Sequence, residues 1–342
     1  MKKFLKKFLK KLMWSLGILL GLLILVYLFA WYGYRHEAPQ AAFGVTFSTV
    51  MAKQLGFAPS EVYDAIINDL GVRYVRIPVY WADVEKERGH MDFAEYDYFV
   101  RRAEENGVRL ILAVGRKLPR WPECFIPAWA KNLPESEIED GLLNQIRETV
   151  TRYKDSPAVT GWQVENEPYF KFGANCGAEK VSEEYVRREI ALVRSLDARP
   201  IAVTDSGEQG RWLWAASGAD VLGITMYNHA WNPTLGLVRF HFGPGFYRLK
   251  YWLLQLLLGP KLVQVYELQA EPWGPTLLPG YSVALQKELM SIEELRKAIK
   301  YARQTGFDTF YLWGAEWWYW MGKTQNDWNY WNEMKELMKQ GV

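Results

Sequence analysis

The sequence predicts an α/β chain: a (β/α)8 TIM barrel preceded by a single N-terminal transmembrane helix. Three observations carry that expectation. From residue 42 onward, apolar runs of strand length alternate with helical patterns at intervals of roughly 30 to 50 residues, which argues for repeated βα units and a parallel sheet. Eight such runs can be counted, and the roughly 300 residues past the apolar N-terminus suit one closed barrel. No Gly-rich phosphate turn follows the first run, as a doubly wound sheet would normally show.

Residues Leu12 to Tyr34 contain no charged side chain and are rich in Leu, Ile, Val, Gly and aromatics. That is about the length of helix that crosses a hydrocarbon core of roughly 30 Å. Lys2, Lys3, Lys6, Lys7, Lys10 and Lys11 stand before it, an excess of positive charge that keeps the N-terminus cytoplasmic and sends the rest across. Trp14, Trp31, Tyr32 and Tyr34 suit the two interfaces. A cleaved signal peptide is the competing reading, but the run is longer than an h-region of about 7 to 15 residues and no convincing A-x-A site follows. The expected organisation is a basic cytoplasmic segment at 1–11, an anchor at 12–34, a linker at 35–41, and one extracytoplasmic barrel domain at 42–342.

Phe43 to Phe47 is the first expected strand. Pro59-Ser60-Glu61 opens a helix that reaches Leu70 and stops at Gly71. Tyr74 to Val79 is the second strand, Asp92 caps a helix ending at Asn106-Gly107, and Arg109 to Val114 is the third. A helix over Glu135–Tyr153 leads to the fourth strand, Ala158 to Val164, and one from Ser182 to Leu196 leads to the fifth, Ile201 to Thr204. Val221 to Met226 and Leu262 to Tyr266 follow as the sixth and seventh. Ser291 and Glu294 form a capping box for the next helix, and Thr309 to Trp313 is the eighth strand. Tyr247 to Leu258 is unusually apolar for an outer barrel helix. It reads either as a well-buried helix or as one resting, with Phe240, Phe242 and Phe246, on a membrane surface.

Residues 1–40 hold seven of the 41 Lys and Arg and one of the 39 Asp and Glu, so 34 bases and 38 acids remain for the barrel. That balance predicts no nucleic-acid partner, and the basic block is better matched to anionic lipid. Nothing points to a protein partner. Cys124 and Cys176 are the two cysteines. They have no metal-ligand spacing and fall after the third and fourth strands, in adjacent loops on one face. In an exported domain they are a disulfide candidate, with two separate thiols as the alternative.

The candidate chemistry lies at two strand ends. The run to Val164 halts at Glu165-Asn166-Glu167-Pro168, where proline prevents continuation, and the run Leu262–Tyr266 ends at Glu267. Hydrolysis of a glycoside needs one carboxylic acid to protonate the leaving oxygen and one carboxylate facing the anomeric carbon. The two must differ in environment so that one keeps its proton.

At these residues the chain resembles the clan A glycoside hydrolases, most closely glycoside hydrolase family 5 and its cellulase-like relatives, over most of its length from Phe43. The resemblance implies Glu167, after Asn166, as the acid/base and Glu267 in Val-Tyr-Glu-Leu as the nucleophile. It implies substrate-site roles for Arg76 of Val-Arg-Ile-Pro, which helps hold the nucleophile ionised, for Asn166, for Tyr227 of Thr-Met-Tyr, and for Trp313 of Leu-Trp-Gly as a sugar-stacking platform. The segment Trp81 to Asp92 looks like the clan's loop after strand two. Two departures mark an altered subsite: Gly115-Arg116-Lys117 stands where family 5 commonly has a histidine, and Thr225 stands where its strand-six motif usually begins with one.

Glu271 is the rival nucleophile and otherwise a binder of a sugar hydroxyl. Glu165 and Glu316 read as partners of buried arginines, Glu316 alternatively as a substrate ligand. Trp81, Trp121, Trp129, Trp231, Trp273, Trp317, Trp318 and Trp320 fall in expected rim segments, where they stack on sugars or pack the core. Arg116, Lys117, Arg120 and Arg211 near the rim favour an anionic glycan or form a solvated loop. The expected function is a membrane-anchored retaining glycoside hydrolase acting on a β-linked carbohydrate, with no metal and no organic cofactor. The alternatives are a transglycosylase on envelope glycans and a non-catalytic glycan-binding protein.

Overall fold

The computed structural model describes residues 2–33, 37–38, 40–170 and 181–340. Ten strands are β1 (Ala42–Thr46), β2 (Tyr74–Pro78), β3 (Arg109–Val114), β4 (Val159–Val164), β5 (Ile201–Asp205), β6 (Val221–Met226), β7 (His229–Asn232), β8 (Gly236–Arg239), β9 (Leu262–Gln269) and β10 (Thr309–Trp313). Eight close into a TIM barrel in the order β1-β10-β9-β6-β5-β4-β3-β2, every pair parallel. All eight expected barrel strands are present. The antiparallel hairpin β7–β8 after the sixth barrel strand was not anticipated. Its strands are four residues each, too short for an alternation pattern to declare itself.

Local chemistry sets the helix ends. Asp92, the expected cap, accepts from the Ala94 amide at 2.9 Å, but the N-cap of Ala94–Asn106 is Phe93, one residue later. The helix closes at Gly107 with φ +63°, the left-handed conformation that glycine adopts without a Cβ penalty. Ser182 and Ser291 cap their helices through the Tyr185 and Glu294 amides, at 3.1 and 3.2 Å. The helix from Pro59 is regular only to Asp64 and continues as a π-helical turn, Ala65–Asp69.

Ile111, Ala202, Val221, Tyr266 and Tyr311 fill the barrel interior, while the larger apolar cluster lies between strands and outer helices. Within β9, Ile224 of β6 pairs with Val265 but Thr225 pairs with Glu267, so one residue is extra. This bulge breaks the alternation that would otherwise send Glu267 outward. Val263, Val265 and Leu268 belong to the outer cluster, whereas Tyr266 and Glu267 both turn inward. Gly223 provides room on the neighbouring strand, since a Cβ there would lie 2.8 Å from the Tyr266 ring. Glu267 thus sits inside β9 and not one residue past its end.

At the N-terminus a helix over Lys2–Leu28 runs into a π-helical turn, Phe29–Gly33. It is long and apolar enough to cross a membrane, with none of its apolar window buried in the protein; Tyr34 lies outside the described residues. Cys124 is disulfide-bonded, and Cys176, its expected partner, lies outside the described residues.

Candidate active site

Above the apolar floor of the barrel lies a polar layer built around Arg76, which is fully buried. Its Nε donates to Gln163 Oε1 at 2.6 Å and its Nη2 to Asn166 Oδ1 at 2.8 Å. Nη1 donates to the Tyr266 carbonyl and to Glu267 Oε1, both at 3.2 Å. A guanidinium holds this many acceptors only because its fork is planar and rigid. The Arg76 head also lies 5.4 Å from the Tyr266 ring centre, so the bulge that turns Glu267 inward also brings an aromatic ring to its cation.

The second Glu267 oxygen accepts from the Tyr227 hydroxyl at 2.9 Å. Burial and the Glu267 charge raise the Tyr227 pKa well above its usual value, so the phenol keeps its proton and stays a donor. Glu208, which sequence reasoning missed, sets Tyr227 in place. Its carboxylate accepts from the Tyr227 amide and the Tyr247 hydroxyl, each at 2.7 Å, and from Thr225 Oγ1 at 3.1 Å. Thr225, marked in the sequence as a departure from an expected histidine, is therefore a strut toward Glu208.

Glu167 is enclosed, 9% exposed. Burial first, then the Glu267 charge, pushes its pKa well above the usual carboxylate value, against a smaller opposing pull from Lys117. Its backbone is unusual: Glu165 has φ +57° and Glu167 φ +46°, conformations that L side chains adopt at a cost of about 1–3 kcal/mol each. Hydrogen bonds hold the turn. Glu165 N donates to the Val114 carbonyl at 2.9 Å, Asn166 N to the Lys117 carbonyl at 2.6 Å and Glu167 N to Thr204 Oγ1 at 2.8 Å. Thr204 in turn donates to Asn166 Oδ1 at 3.2 Å.

Glu165 meets a buried arginine, Arg116, through the backbone and not through the guanidinium. Its carboxylate accepts from the Arg116 and Lys117 amides at 2.6 and 2.7 Å, bracing the loop after β3 against the turn that carries Glu167. Behind it Glu189, fully buried, has a pKa raised well above normal by burial and by the Glu165 charge. Glu189 therefore carries the proton of this carboxyl pair.

Glu271 lies beyond β9 and is gripped through both oxygens by Arg120, which also reaches Glu316 Oε2 at 3.2 Å. The Trp313 indole donates to Glu271 at 2.9 Å, and the Arg120 head covers one face of that indole, 4.1 Å from a ring centroid. Glu316, with no measurable exposure, also accepts from the Ser48 amide at 2.5 Å, so the arginine-partner reading of that residue prevails over the ligand reading.

The structure brings Arg76, Asn166, Glu167, Tyr227 and Glu267 into one connected network and joins Glu271 to Trp313 beside it. Three of the four rim cations are committed: Arg116 pairs with Glu135, Lys117 with Glu123 and Arg120 with Glu271, while Arg211 is exposed. The charge of those three is thus not free to select an anionic glycan. Trp81, Trp317, Trp318 and Trp320 are core, none more than 7% exposed, while Trp121 is 50% exposed. Gln163 was legible only as an inward position of β4, two residues before Glu165, and Arg120 only as one base among several.

Residues 37–234 match the Cellulase family, glycosyl hydrolase family 5. Endo-1,4-beta-xylanase 5 of Arabidopsis thaliana is 35% identical over 106 residues, covering 29% of this chain and 18% of that protein. Mannan endo-1,4-beta-mannosidase F of Aspergillus clavatus is 29% identical over 126 residues, covering 34% of this chain and 27% of that protein. The chain thus spans only 18 to 27% of the length of these relatives. Among solved structures, a beta-galactosidase of the haloarchaeon Halorubrum lacusprofundi superposes with a TM-score of 0.54 at 16% identity, over 80% of this chain and 52% of that one. That likeness concerns the fold alone.

Proposed function

The chain belongs to the cellulase family, glycosyl hydrolase family 5, and from that premise we propose that it is a retaining hydrolase of a β-linked polysaccharide, with Glu167 as acid/base and Glu267 as nucleophile. The observation that carries this reading is the asymmetry of the pair. Burial and a neighbouring charge keep Glu167 protonated, while Glu267 receives a guanidinium on one oxygen and a phenol on the other. One acid and one held carboxylate are what double displacement requires.

In the first step a Glu267 oxygen bonds to the anomeric carbon as the bond to the leaving oxygen breaks and that oxygen takes the proton of Glu167. In the second, water gives a proton to Glu167 and attacks the same carbon, releasing Glu267. Asn166, whose carbonyl oxygen is taken by Arg76 and Thr204, has its amide nitrogen left for a sugar hydroxyl. Trp313, covered by Arg120 on one face, offers the other to a sugar ring. The matched relatives are named for β-1,4-linked mannan and xylan, and a polymer of that kind is the substrate class. The N-terminal helix acts as an uncleaved anchor with its lysines on the cytoplasmic side, which places the barrel outside. The disulfide at Cys124 suits that compartment.

The test is intact mass spectrometry of the full chain in detergent after incubation with 2-deoxy-2-fluoro mannosyl, xylosyl and glucosyl fluorides, followed by peptide mapping. An adduct on Glu267 is expected and would identify the sugar accepted beside the bond. An adduct on Glu271 would overturn the nucleophile assignment, and the absence of any adduct while mannan or xylan is being cleaved would overturn the covalent mechanism.

A further inference from the structure

The helix Pro244–Leu258 has two apolar faces where one is expected. Tyr247 and Leu254 are buried and Tyr251 packs against Phe307 at 5.9 Å, which forms the inward face. Leu249, Trp252, Leu253, Leu256 and Leu257 recur at i, i+3, i+4, i+7 and i+8 and form a second stripe on the outside. Trp252 is 46%, Leu253 55% and Leu256 80% exposed, and Leu262 just beyond is 48% exposed. Single exposed leucines are ordinary on a protein surface, whereas a contiguous patch marks a contact. No Asp or Glu occurs from Phe240 to Tyr266. The cations of this segment point inward: Arg248 to the Thr305 carbonyl, Lys250 to the Gly207 and Gly210 carbonyls and Lys261 to that of Ala219. No charge therefore interrupts the outer stripe.

The membrane-proximal end of the N-terminal helix is seated on this same helix. Ala30 is 2% exposed, and a Cβ at Gly243 would come within 2.5 Å of the Ala30 carbonyl, so the two backbones meet closely. Trp31 packs on Phe242 and Phe246, with ring centroids at 5.9 and 6.2 Å, and Phe29 on Trp252 at 5.5 Å. From Trp31 back to Phe29 the contact moves from Phe242 and Phe246 to Trp252, so the N-terminal helix leaves the barrel on the side of Leu258. That end leads into Leu262, the first residue of β9, at the opposite end of the barrel from Glu267.

We propose that the outer stripe of Pro244–Leu258, continued by Leu262, lies in the interfacial region of the bilayer that holds the anchor, a second membrane contact that turns the mouth of the barrel away from the lipid. This inference rests on the reading of the N-terminal helix as an uncleaved anchor. The occupant follows from continuity. The stripe starts where the anchor leaves the barrel, and its leucines with one tryptophan and no charge match an interfacial helix face.

The full chain is reconstituted in vesicles of phosphatidylethanolamine and phosphatidylglycerol, with nitroxide labels on Leu253→Cys, Leu256→Cys, Leu277→Cys and Ile24→Cys in turn and wild type as the labelling background. Leu277 is a 51% exposed leucine in the loop after β9, at the mouth. The ratio of oxygen to nickel-chelate accessibility is expected to be several-fold higher at 253 and 256 than at 277. Water-like values at 253 and 256 with Ile24 in the acyl region would overturn the docking and leave the anchor standing. Water-like values at Ile24 would overturn both readings. Shielding of 253 and 256 from both reagents, with spin–spin broadening between chains, would assign the stripe to a second copy and overturn the lipid proposal.

Discussion

Arg120→Met isolates the contribution of one buried cation that serves two buried acids. Arg120 is 8% exposed, grips Glu271 through both oxygens, reaches Glu316 at 3.2 Å and lies 4.1 Å from a Trp313 ring centroid. Methionine keeps most of the apolar stem and removes the charge. Breaking a buried pair by deleting one partner costs about 3–5 kcal/mol. Here two carboxylates are left without their cation, and a loss near 4 kcal/mol lowers the folding equilibrium roughly a thousandfold. Arg120→Lys is expected to recover only part, because an ammonium cannot span three oxygens with one fork.

The deficit depends on pH in a fixed direction. Burial already raises the Glu316 pKa against the pull of Arg120, and without that cation it rises further. A carboxyl whose folded-state pKa exceeds its unfolded value binds protons more tightly when folded, so stability falls as pH climbs through that window. Urea denaturation of the full chain in detergent, followed by circular dichroism, should therefore show a smaller loss at about pH 4.5 than at about pH 8. Arg120→Met combined with Glu316→Gln should recover part of the loss at the higher pH. A loss under about 0.5 kcal/mol at both pH values would place Arg120 in the ordinary range of surface substitutions and refute the reasoning, as would a loss that grows on acidification.

Tyr227→Phe removes one donor to Glu267, a charge-assisted bond worth about 1.5–3 kcal/mol, and should lower kcat/KM by roughly 10- to 150-fold on the preferred substrate while leaving the circular dichroism spectrum unchanged. Glu167→Gln should reduce turnover of unactivated glycosides by about 10²- to 10⁴-fold, with a smaller first-step loss on a dinitrophenyl glycoside, whose leaving group needs no proton. The wild-type pH profile should keep activity below the raised Glu167 pKa and lose it above, and stopped-flow measurement of the dinitrophenol burst should show that this alkaline limb is absent from Glu167→Gln. Glu189→Gln replaces a carboxyl that is protonated in the fold by a neutral near-isostere. Because the raised Glu189 pKa makes wild-type stability fall as pH rises, urea melts should show little change in acid and a more stable variant in alkali.

The barrel was legible because each strand is an apolar run bounded by breakers, and because a chain with that alternation has few other ways to bury them. The two glutamates were legible as candidates because residues near the C-terminal ends of barrel strands face the mouth, although Glu267 lies within β9 and not past its end. What escaped was whatever depends on non-local pairing. The β9 bulge is invisible in Leu-Val-Gln-Val-Tyr-Glu-Leu-Gln, since a register shift belongs to the pairing with β6 and not to β9 alone. Glu208 lies in a loop, distant in sequence from the Tyr227, Thr225 and Tyr247 groups it collects. Arg116 and Lys117 could not be told from solvated bases until their acidic partners were in view. The tryptophans divided by burial, a property that residue type alone does not carry.

On the proposed assignment, the features that local rules failed to foresee are also those that aim the chemistry. Regular alternation would send Glu267 out of the barrel, and a regular end to β4 would leave Glu167 without its left-handed backbone. Both departures from local preference survive because surrounding hydrogen bonds over-determine them: Glu165 braces the β3 loop, Thr204 holds the Glu167 amide, and Arg76 joins Gln163, Asn166, Tyr266 and Glu267. Local inconsistency offset by long-range satisfaction is the expected mark of a functional site in an otherwise consistent fold. On the proposed assignment of Glu167 and Glu267, Arg76 and Glu165 position the reacting pair from behind. Removing either should loosen the aim of a glutamate whose own side chain is untouched.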